Sequence, residues 1–134
     1  MTRLLLAPAL LLAAVLGAVA CGGGKADLET LATRAADATP APSLAIRARA
    51  VKFDKDTLVA PAGREIVVAL DNQDAGVSHN FAVYSAKDAK QNLFRGELFE
   101  GKETREFRFQ SPEAGVYYFR CDAHPDMDGV FISR

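Results

Sequence analysis

The sequence is poor in sulfur and imidazole side chains, with only two cysteines, two histidines and two methionines. It also lacks an excess of either charge, since 16 Lys and Arg residues stand against 17 Asp and Glu residues, for a net charge of -1. This balance gives no electrostatic case for nucleic-acid binding. No internal repeat is visible, and a chain of 134 residues has room for one domain rather than two.

Long apolar runs are absent except at the N-terminus. Arg3 precedes an uncharged run over 4–20 that is dominated by Leu and Ala and ends in the small residues that signal peptidases recognise. We predict that residues 1–20 are a signal peptide, with an uncleaved membrane anchor as the alternative. No later segment approaches the roughly 18 apolar residues of a membrane-spanning helix.

Cys21 directly follows this run and precedes three glycines. The pattern resembles a bacterial lipoprotein signal, in which the cysteine becomes the first mature residue and carries lipid. An ordinary signal peptidase would also cut before Cys21, but it would leave an exposed thiol in an oxidising compartment. We therefore expect Cys21 to be a lipid anchor and the protein to be an extracytoplasmic, membrane-anchored lipoprotein of the periplasm or cell surface.

Residues 21–43 are predicted to be a flexible linker that follows the lipid anchor. Glycines open this segment, and alternating Pro and Ala close it with extended character. Within it, residues 27–38 could form a short helix with Leu28, Leu31 and Ala35 on one side. A helix of about a dozen residues is marginal on its own.

From Leu44 the sequence changes to short segments with the alternation of strands. Ile66, Val68 and Leu70 alternate with other apolar residues and indicate a buried strand. Short strands separated by Gly, Pro and Asp turns predict an all-β fold, a Greek-key β-sandwich of about eight strands over 44–134. The polar stretch 85–95 is interpreted as a long connection between the sheets.

Once the signal segment and Cys21 are set aside, the chain retains one cysteine, two histidines and one methionine. These are His79, Cys121, His124 and Met127. Two residues lie between Cys121 and His124, and two lie between His124 and Met127. A short loop with this spacing can fold three side chains around one ion, and His79 begins an upstream strand that could lie beside the loop. Two imidazoles, a thiolate and a weak axial thioether are the ligands of type-1 copper, so we predict one copper ion that alternates between Cu(I) and Cu(II).

Each of these residues has a simpler interpretation when it is taken alone. Cys121 could be a buried inert thiol or a dimerisation site, His79 a structural histidine and Met127 a core side chain. Zinc is a weaker rival to copper, because thioether is absent from the usual zinc ligand sets. The complete set at this spacing favours copper.

The domain over 44–134 resembles the cupredoxins, the group that includes plastocyanin and amicyanin. Its segment Val-Ser-His-Asn-Phe at 77–81 is similar to their first-ligand strand. Residues 117–129 are similar to their ligand loop, with the short gaps of the amicyanin form. The resemblance implies an eight-strand sandwich with copper at one end. It also implies that Asn80 braces the ligand loop through hydrogen bonds, as metal ligands require.

The predicted function is that of a one-electron carrier and not an enzyme, because protein ligands fill all four positions whereas a catalytic metal keeps one open. We expect a monomer whose partners are redox proteins, such as a cytochrome, an oxidase, a reductase or a photosynthetic reaction centre. The alternatives are a copper delivery or sensing protein, which the lack of Met-rich or His-rich tracts disfavours, and an adhesion module with a vestigial site.

Three carboxylates crowd the predicted ligand loop, namely Asp122, Asp126 and Asp128. They could be ordinary solvated side chains, or an acidic rim that meets a basic redox partner. One of them could also displace Met127 as the axial ligand. The sequence leaves these three interpretations open.

Overall fold

The computed structural model describes residues 28–134, so the predicted signal peptide and Cys21 lie outside the described residues. This part of the chain contains one short helix and ten strands. The elements are α1 (Leu28–Arg34), β1 (Ser43–Ala48), β2 (Thr57–Ala60), β3 (Glu65–Asn72), β4 (Ser78–His79), β5 (Ala82–Tyr84), β6 (Asn92–Arg95), β7 (Phe99–Glu100), β8 (Glu103–Gln110), β9 (Gly115–Arg120) and β10 (Asp128–Ser133).

Eight of these strands form two sheets, one of three strands in the order β1-β3-β8 and one of five in the order β2-β10-β9-β5-β6. β1 and β3 pair in parallel while β2, which lies between them in sequence, belongs to the other sheet. The chain therefore crosses between the sheets twice in succession, as Greek-key sandwiches do. The predicted all-β sandwich is confirmed, and β4 and β7 add a separate two-stranded ribbon.

The core lies between the two sheets and is built from alternating strand residues. Ile66, Val68 and Leu70 of β3 are buried, which confirms the alternation seen in the sequence. Aromatic rings of the two sheets are in contact. The ring centroid of Phe109 in β8 lies 6.3 Å from that of Phe131 in β10, and Phe109 stacks on Phe94 of β6 at 4.0 Å. Close packing of this kind makes the sandwich a rigid scaffold.

The stretch 85–95 is not only a connection, because its last four residues form β6. This strand pairs antiparallel with β5 at the edge of the five-stranded sheet. Its side chains are mostly exposed. Its two apolar residues, Leu93 and Phe94, are adjacent rather than alternating, which is why the sequence pattern did not indicate a strand.

Helix α1 packs against the outer face of the five-stranded sheet. Leu31 and Ala35 form a buried cluster there with Val59, Val130 and Ile132. Where the helix ends, the Arg134 guanidinium donates hydrogen bonds to the carbonyls of residues 35, 36 and 38. These bonds connect the turn that follows α1 to the last residue of the chain.

The described part of the predicted linker is therefore attached to the sandwich. The N–H of Ala41 donates to the carbonyl of Val59, and the N–H of Val67 donates to the carbonyl of Pro42. Tertiary contacts stabilise a helix that is too short to be stable alone. Among residues 28–134, no helix has the length and apolar character needed to cross a membrane.

Candidate metal centre

Residues 121–127 form a short loop that closes on itself. The N–H of Cys121 donates to the carbonyl of Met127 at 2.9 Å, and the N–H of Met127 donates to the carbonyl of His124 at 2.8 Å. Antiparallel pairing of Arg120 with Asp128 brings the two ends of the loop together. Cys121, His124 and Met127 are consequently held on one compact turn of backbone.

The fourth residue, His79, reaches the loop from strand β4, where it pairs with Phe99 of β7. Its Nδ1 atom lies 3.7 Å from Sγ of Cys121, and Nδ1 of His124 lies 3.7 Å from the same sulfur. The donor atoms of the three residues all lie within 4.8 Å of one another. The fold thus brings together residues that are far apart in sequence.

These distances can be compared with those that one bound ion requires. Metal–thiolate and metal–imidazole bonds of about 2.3 and about 2.0 Å, meeting at about 120°, place sulfur and nitrogen about 3.7 Å apart. The separations of Cys121 from the two histidines have this value. Met127 is 2% exposed and belongs to the same core cluster as Cys121. The four side chains are arranged as a type-1 copper site.

The two imidazoles differ in their access to solvent. His79 and Cys121 are fully buried, whereas His124 is half-buried between the exposed residues Ala123 and Pro125. The rings of the two histidines approach to 4.9 Å between centroids. His124 is therefore the member of the set that lies nearest the protein surface.

Asn80 lies between the segment that carries His79 and the ligand loop. Its Oδ1 accepts the N–H of Asp122 at 2.8 Å, while its Nδ2 donates to the carbonyl of Gly96 at 2.9 Å. Nδ2 also lies 3.3 Å from the Asp122 carboxylate. The side chain is buried and satisfied on both sides, a geometry suited to bracing the loop.

The carboxylate of Asp122 is paired with cations and does not form part of an open acidic rim. It accepts hydrogen bonds from Tyr84 Oη at 2.6 Å and Arg120 Nε at 3.1 Å, and Arg95 Nε lies 3.0 Å away. Burial alone would raise the pKa of this carboxyl. The hydrogen bonds from Tyr84, Asn80 and Arg120, together with the charge of Arg95, outweigh that effect and hold the pKa below its usual value.

The other two carboxylates of the loop have different surroundings. Asp126 is exposed and Asp128 is half-buried. Asp128 interacts with the hydroxyl of Tyr118, and burial, reinforced by this carboxylate, raises the pKa of Tyr118 to about 12. The three carboxylates are therefore not equivalent, because two arginines pair with Asp122.

One neighbour of the site was not identified from the sequence. Oδ2 of Asp74 lies 2.9 Å from Nε2 of His79, on the opposite side of the ring from Cys121. In the sequence, the polar run 71–76 indicates only a turn between strands. The available signal was a carboxylate five positions before a candidate histidine ligand, in a segment that had to bend.

Asp74 is held in place by backbone donors from another loop. It accepts the N–H of Ala50 at 2.7 Å and that of Val51 at 2.9 Å. The bond from Val51 does most to lower the pKa of the Asp74 carboxyl. Burial opposes this effect, but His79 and Ala50 add to it and the pKa is held below its usual value.

Comparison with known proteins gives consistent results. The sequence matches the model of the family described as Cupredoxin-like domain over residues 12–132. Auracyanin-A from Chloroflexus aurantiacus is 23% identical over 150 residues, which cover 92% of this chain and 93% of that protein. Its solved structure has a TM-score of 0.61 and 21% identity, covering 72% of this chain and 100% of the other.

Two further solved structures have the same fold. Dithionite-reduced auracyanin from Roseiflexus castenholzii has a TM-score of 0.65 at 18% identity, covering 72% of this chain and 99% of that chain. Amicyanin from Paracoccus versutus has a TM-score of 0.53 at 27% identity, covering 75% of this chain and 88% of that chain. Because the family match spans most of its length, this chain belongs to the family of cupredoxin-like domains.

Proposed function

We propose that this protein is a one-electron carrier that uses one copper ion held by His79, Cys121, His124 and Met127. The observation that carries the proposal is the convergence of one thiolate and two imidazole nitrogens within 4.8 Å, with a buried thioether in the same cluster. Copper supplies the Cu(II)/Cu(I) couple when it is bound. Auracyanin A, with the same fold, is described as a blue copper protein.

The chain's own residues favour electron transfer over catalysis. Four protein side chains complete the ligand set, whereas a catalytic metal keeps one position open for substrate. The backbone hydrogen bonds of the loop and the side chain of Asn80 keep the ligands in place whichever charge the centre carries. His124 is half-buried, so its ring offers a short covalent path from the centre to a docked partner.

We further propose a cellular location for the protein. The signal-like run and Cys21 support an extracytoplasmic protein that is tethered to a membrane by lipid. Its donors and acceptors would be redox proteins such as a cytochrome, an oxidase, a reductase or a photosynthetic reaction centre. Mass spectrometry of the native protein tests the anchor, since an unmodified Cys21 in protein that does not fractionate with membranes would contradict it.

The visible spectrum of the copper-loaded protein tests the site directly. We expect intense absorption from thiolate-to-Cu(II) charge transfer, and we expect Cys121→Ser to abolish it. Cys21→Ser is the matched control, because it removes the only other cysteine and leaves the site intact. A colourless Cu(II) complex of the intact protein would refute the proposal.

A second measurement separates an electron carrier from a protein that delivers copper. We expect rapid electron self-exchange between the oxidised and reduced forms, measured by NMR line broadening, and slow loss of copper to a chelator. The half-buried His124 on a rigid loop favours electron exchange, whereas the burial of the other three ligands slows the release of copper. Slow self-exchange with fast copper release to an acceptor protein would instead indicate copper delivery.

A further inference from the structure

We propose that Asp74 is a positioning residue for the metal centre, whose fixed negative charge orients His79 and favours the oxidised state. The inference rests on the proposed function, because it concerns the same site. The carboxylate of Asp74, which lies in a turn, thereby lowers the reduction potential of the centre. Two observations support it: the contact with His79 and the turn that holds the carboxylate.

The contact sets which nitrogen of His79 is available to a metal. Nδ1 faces the sulfur of Cys121 at 3.7 Å, and Nε2 faces Oδ2 of Asp74 at 2.9 Å. A carboxylate can only accept a hydrogen bond, so the proton belongs on Nε2 and the lone pair on Nδ1 points toward the centre. The side chain of His79 is 0% exposed and that of Asp74 is 13% exposed, so water competes little for this bond.

The carboxylate is held by an unusual turn. Arg49 and Lys52 exchange backbone hydrogen bonds of 2.9 and 3.2 Å, and the two residues between them have φ angles of 51° and 55°. A turn of this type favours Asn-Gly, and a β-branched residue such as Val51 is strained at positive φ. Here the N–H groups of Ala50 and Val51 both donate to Asp74, which offsets the strain.

The other side of Asp74 is also fixed. Its own N–H donates to Oδ1 of Asn72 at 3.0 Å. The buried amide of Asn72 in turn donates to the carbonyls of Val77 and Phe99 at 2.9 and 3.0 Å. Asp74 therefore does not depend on the presence of a metal for its position.

A fixed anion at this place distinguishes between the two oxidation states. With one thiolate ligand, the centre carries a net charge of about +1 as Cu(II) and about zero as Cu(I). The negative charge of Asp74 attracts the Cu(II) form of the centre more strongly than the Cu(I) form. It also increases the basicity of the His79 imidazole. The potential of the wild-type protein should therefore be lower than that of a variant without this charge.

The experiment measures the reduction potential of Asp74→Asn, which removes the charge and keeps the size of the side chain. Loss of such an outer partner costs about 10- to 100-fold in metal affinity. Each tenfold loss of Cu(II) affinity relative to Cu(I) raises a one-electron potential by about 59 mV. We expect the potential to rise, and we expect Asp74→Glu, which keeps the charge, to bring it back toward the wild-type value.

A second background separates the charge from the turn. Ala50→Asn/Val51→Gly gives the turn its preferred residues, so that it no longer depends on the carboxylate. We expect this double variant to keep the wild-type potential, and Asp74→Asn added to it to cause the same rise. If Asp74→Asn no longer raises the reduction potential in this background, Asp74 acts only through the turn. That result would overturn the proposal. The background also serves if Asp74→Asn alone does not fold.

A copper-free readout distinguishes failure of this inference from failure of the proposed function. In the metal-free protein, ¹⁵N NMR should show His79 protonated at Nε2, with slow proton exchange that becomes faster in Asp74→Asn. If the neutral imidazole of His79 carries its proton on Nδ1 in the wild-type protein, the inference is overturned whether or not copper binds. Absence of copper binding with the Nε2 proton in place would instead contradict only the proposed function.

Discussion

Asn80 and Asp122 are joined by a hydrogen bond of 2.8 Å from the backbone N–H of Asp122 to Oδ1 of Asn80, across 42 positions of sequence. Each of the two residues directly follows a candidate ligand, His79 in one case and Cys121 in the other. One bond therefore connects the two segments that bring the thiolate and the buried imidazole together.

Replacement of Asn80 by Ala should destabilise the protein and loosen the loop. The partly buried N–H of Asp122 and the carbonyl of Gly96 would lose their partner, at a cost of about 1–3 kcal/mol in the free energy of unfolding. Chemical denaturation of the metal-free protein measures this loss, and a chelator assay should show faster release of copper. The exposed amide of Gln91 provides the control, since Gln91→Ala should change stability by no more than about 0.5 kcal/mol. Equal stability of the two variants would contradict the bracing role.

Met127→Gln should lower the reduction potential while copper stays bound. An amide oxygen is a harder donor than a thioether and stabilises Cu(II) relative to Cu(I). Met127→Leu is the matched variant, because it keeps the apolar volume but offers no donor, and it should shift the potential upward. If both variants keep the potential and the spectrum of the wild-type protein, Met127 is not a ligand.

Leu31→Ala should weaken the attachment of helix α1 without changing the metal centre. Leu31 is 7% exposed and packs against Val130 and Ile132 on the outer face of the sheet, away from the core that holds Cys121. The loss should be about 2 kcal/mol, the lower end for such a truncation in a small cluster. Limited proteolysis should then cut within 28–38 while the visible spectrum is retained. The exposed Thr33, replaced by Ala, should leave the resistance to proteolysis unchanged.

The stability of the protein should fall between about pH 10 and pH 12 through Tyr118. Burial, with the Asp128 carboxylate beside it, raises the pKa of Tyr118 to about 12 in the folded state. A tyrosine in the unfolded chain ionises near pH 10, so the unfolded state loses its proton first and becomes favoured as the pH rises. Denaturation at several pH values should show this slope reduced in Tyr118→Phe. An equal slope in both proteins would show that Tyr118 does not cause it.

The sequence was sufficient to predict which four side chains the fold brings together, because its information is local and its alternatives are few. Cys121, His124 and Met127 lie in one short loop, and only one other histidine is present in the chain. The alternation of Ile66, Val68 and Leu70 likewise predicted a buried strand, since residues on one face of a strand share one environment. These features do not depend on which distant residues meet.

The remaining features depend on contacts that no local pattern encodes. Asp74 faces His79 only because a turn at 49–52 supplies two N–H donors. The sequence left the role of Asp122 open, and strands β6 and β9 bring Arg95 and Arg120 to it. Charges indicate that pairing is possible, and the fold decides which partners are in reach.

The docked helix changes what a lipid on Cys21 would mean for electron transfer. Because α1 begins at Leu28 and packs on the sandwich through Leu31, only residues 22–27 separate Cys21 from the folded body. The seven Cα–Cα steps from Cys21 to Leu28 extend to at most about 25 Å. A lipidated protein would search for its partner within a thin layer above the bilayer, where confinement gives the two proteins a high effective concentration without any added contact between them.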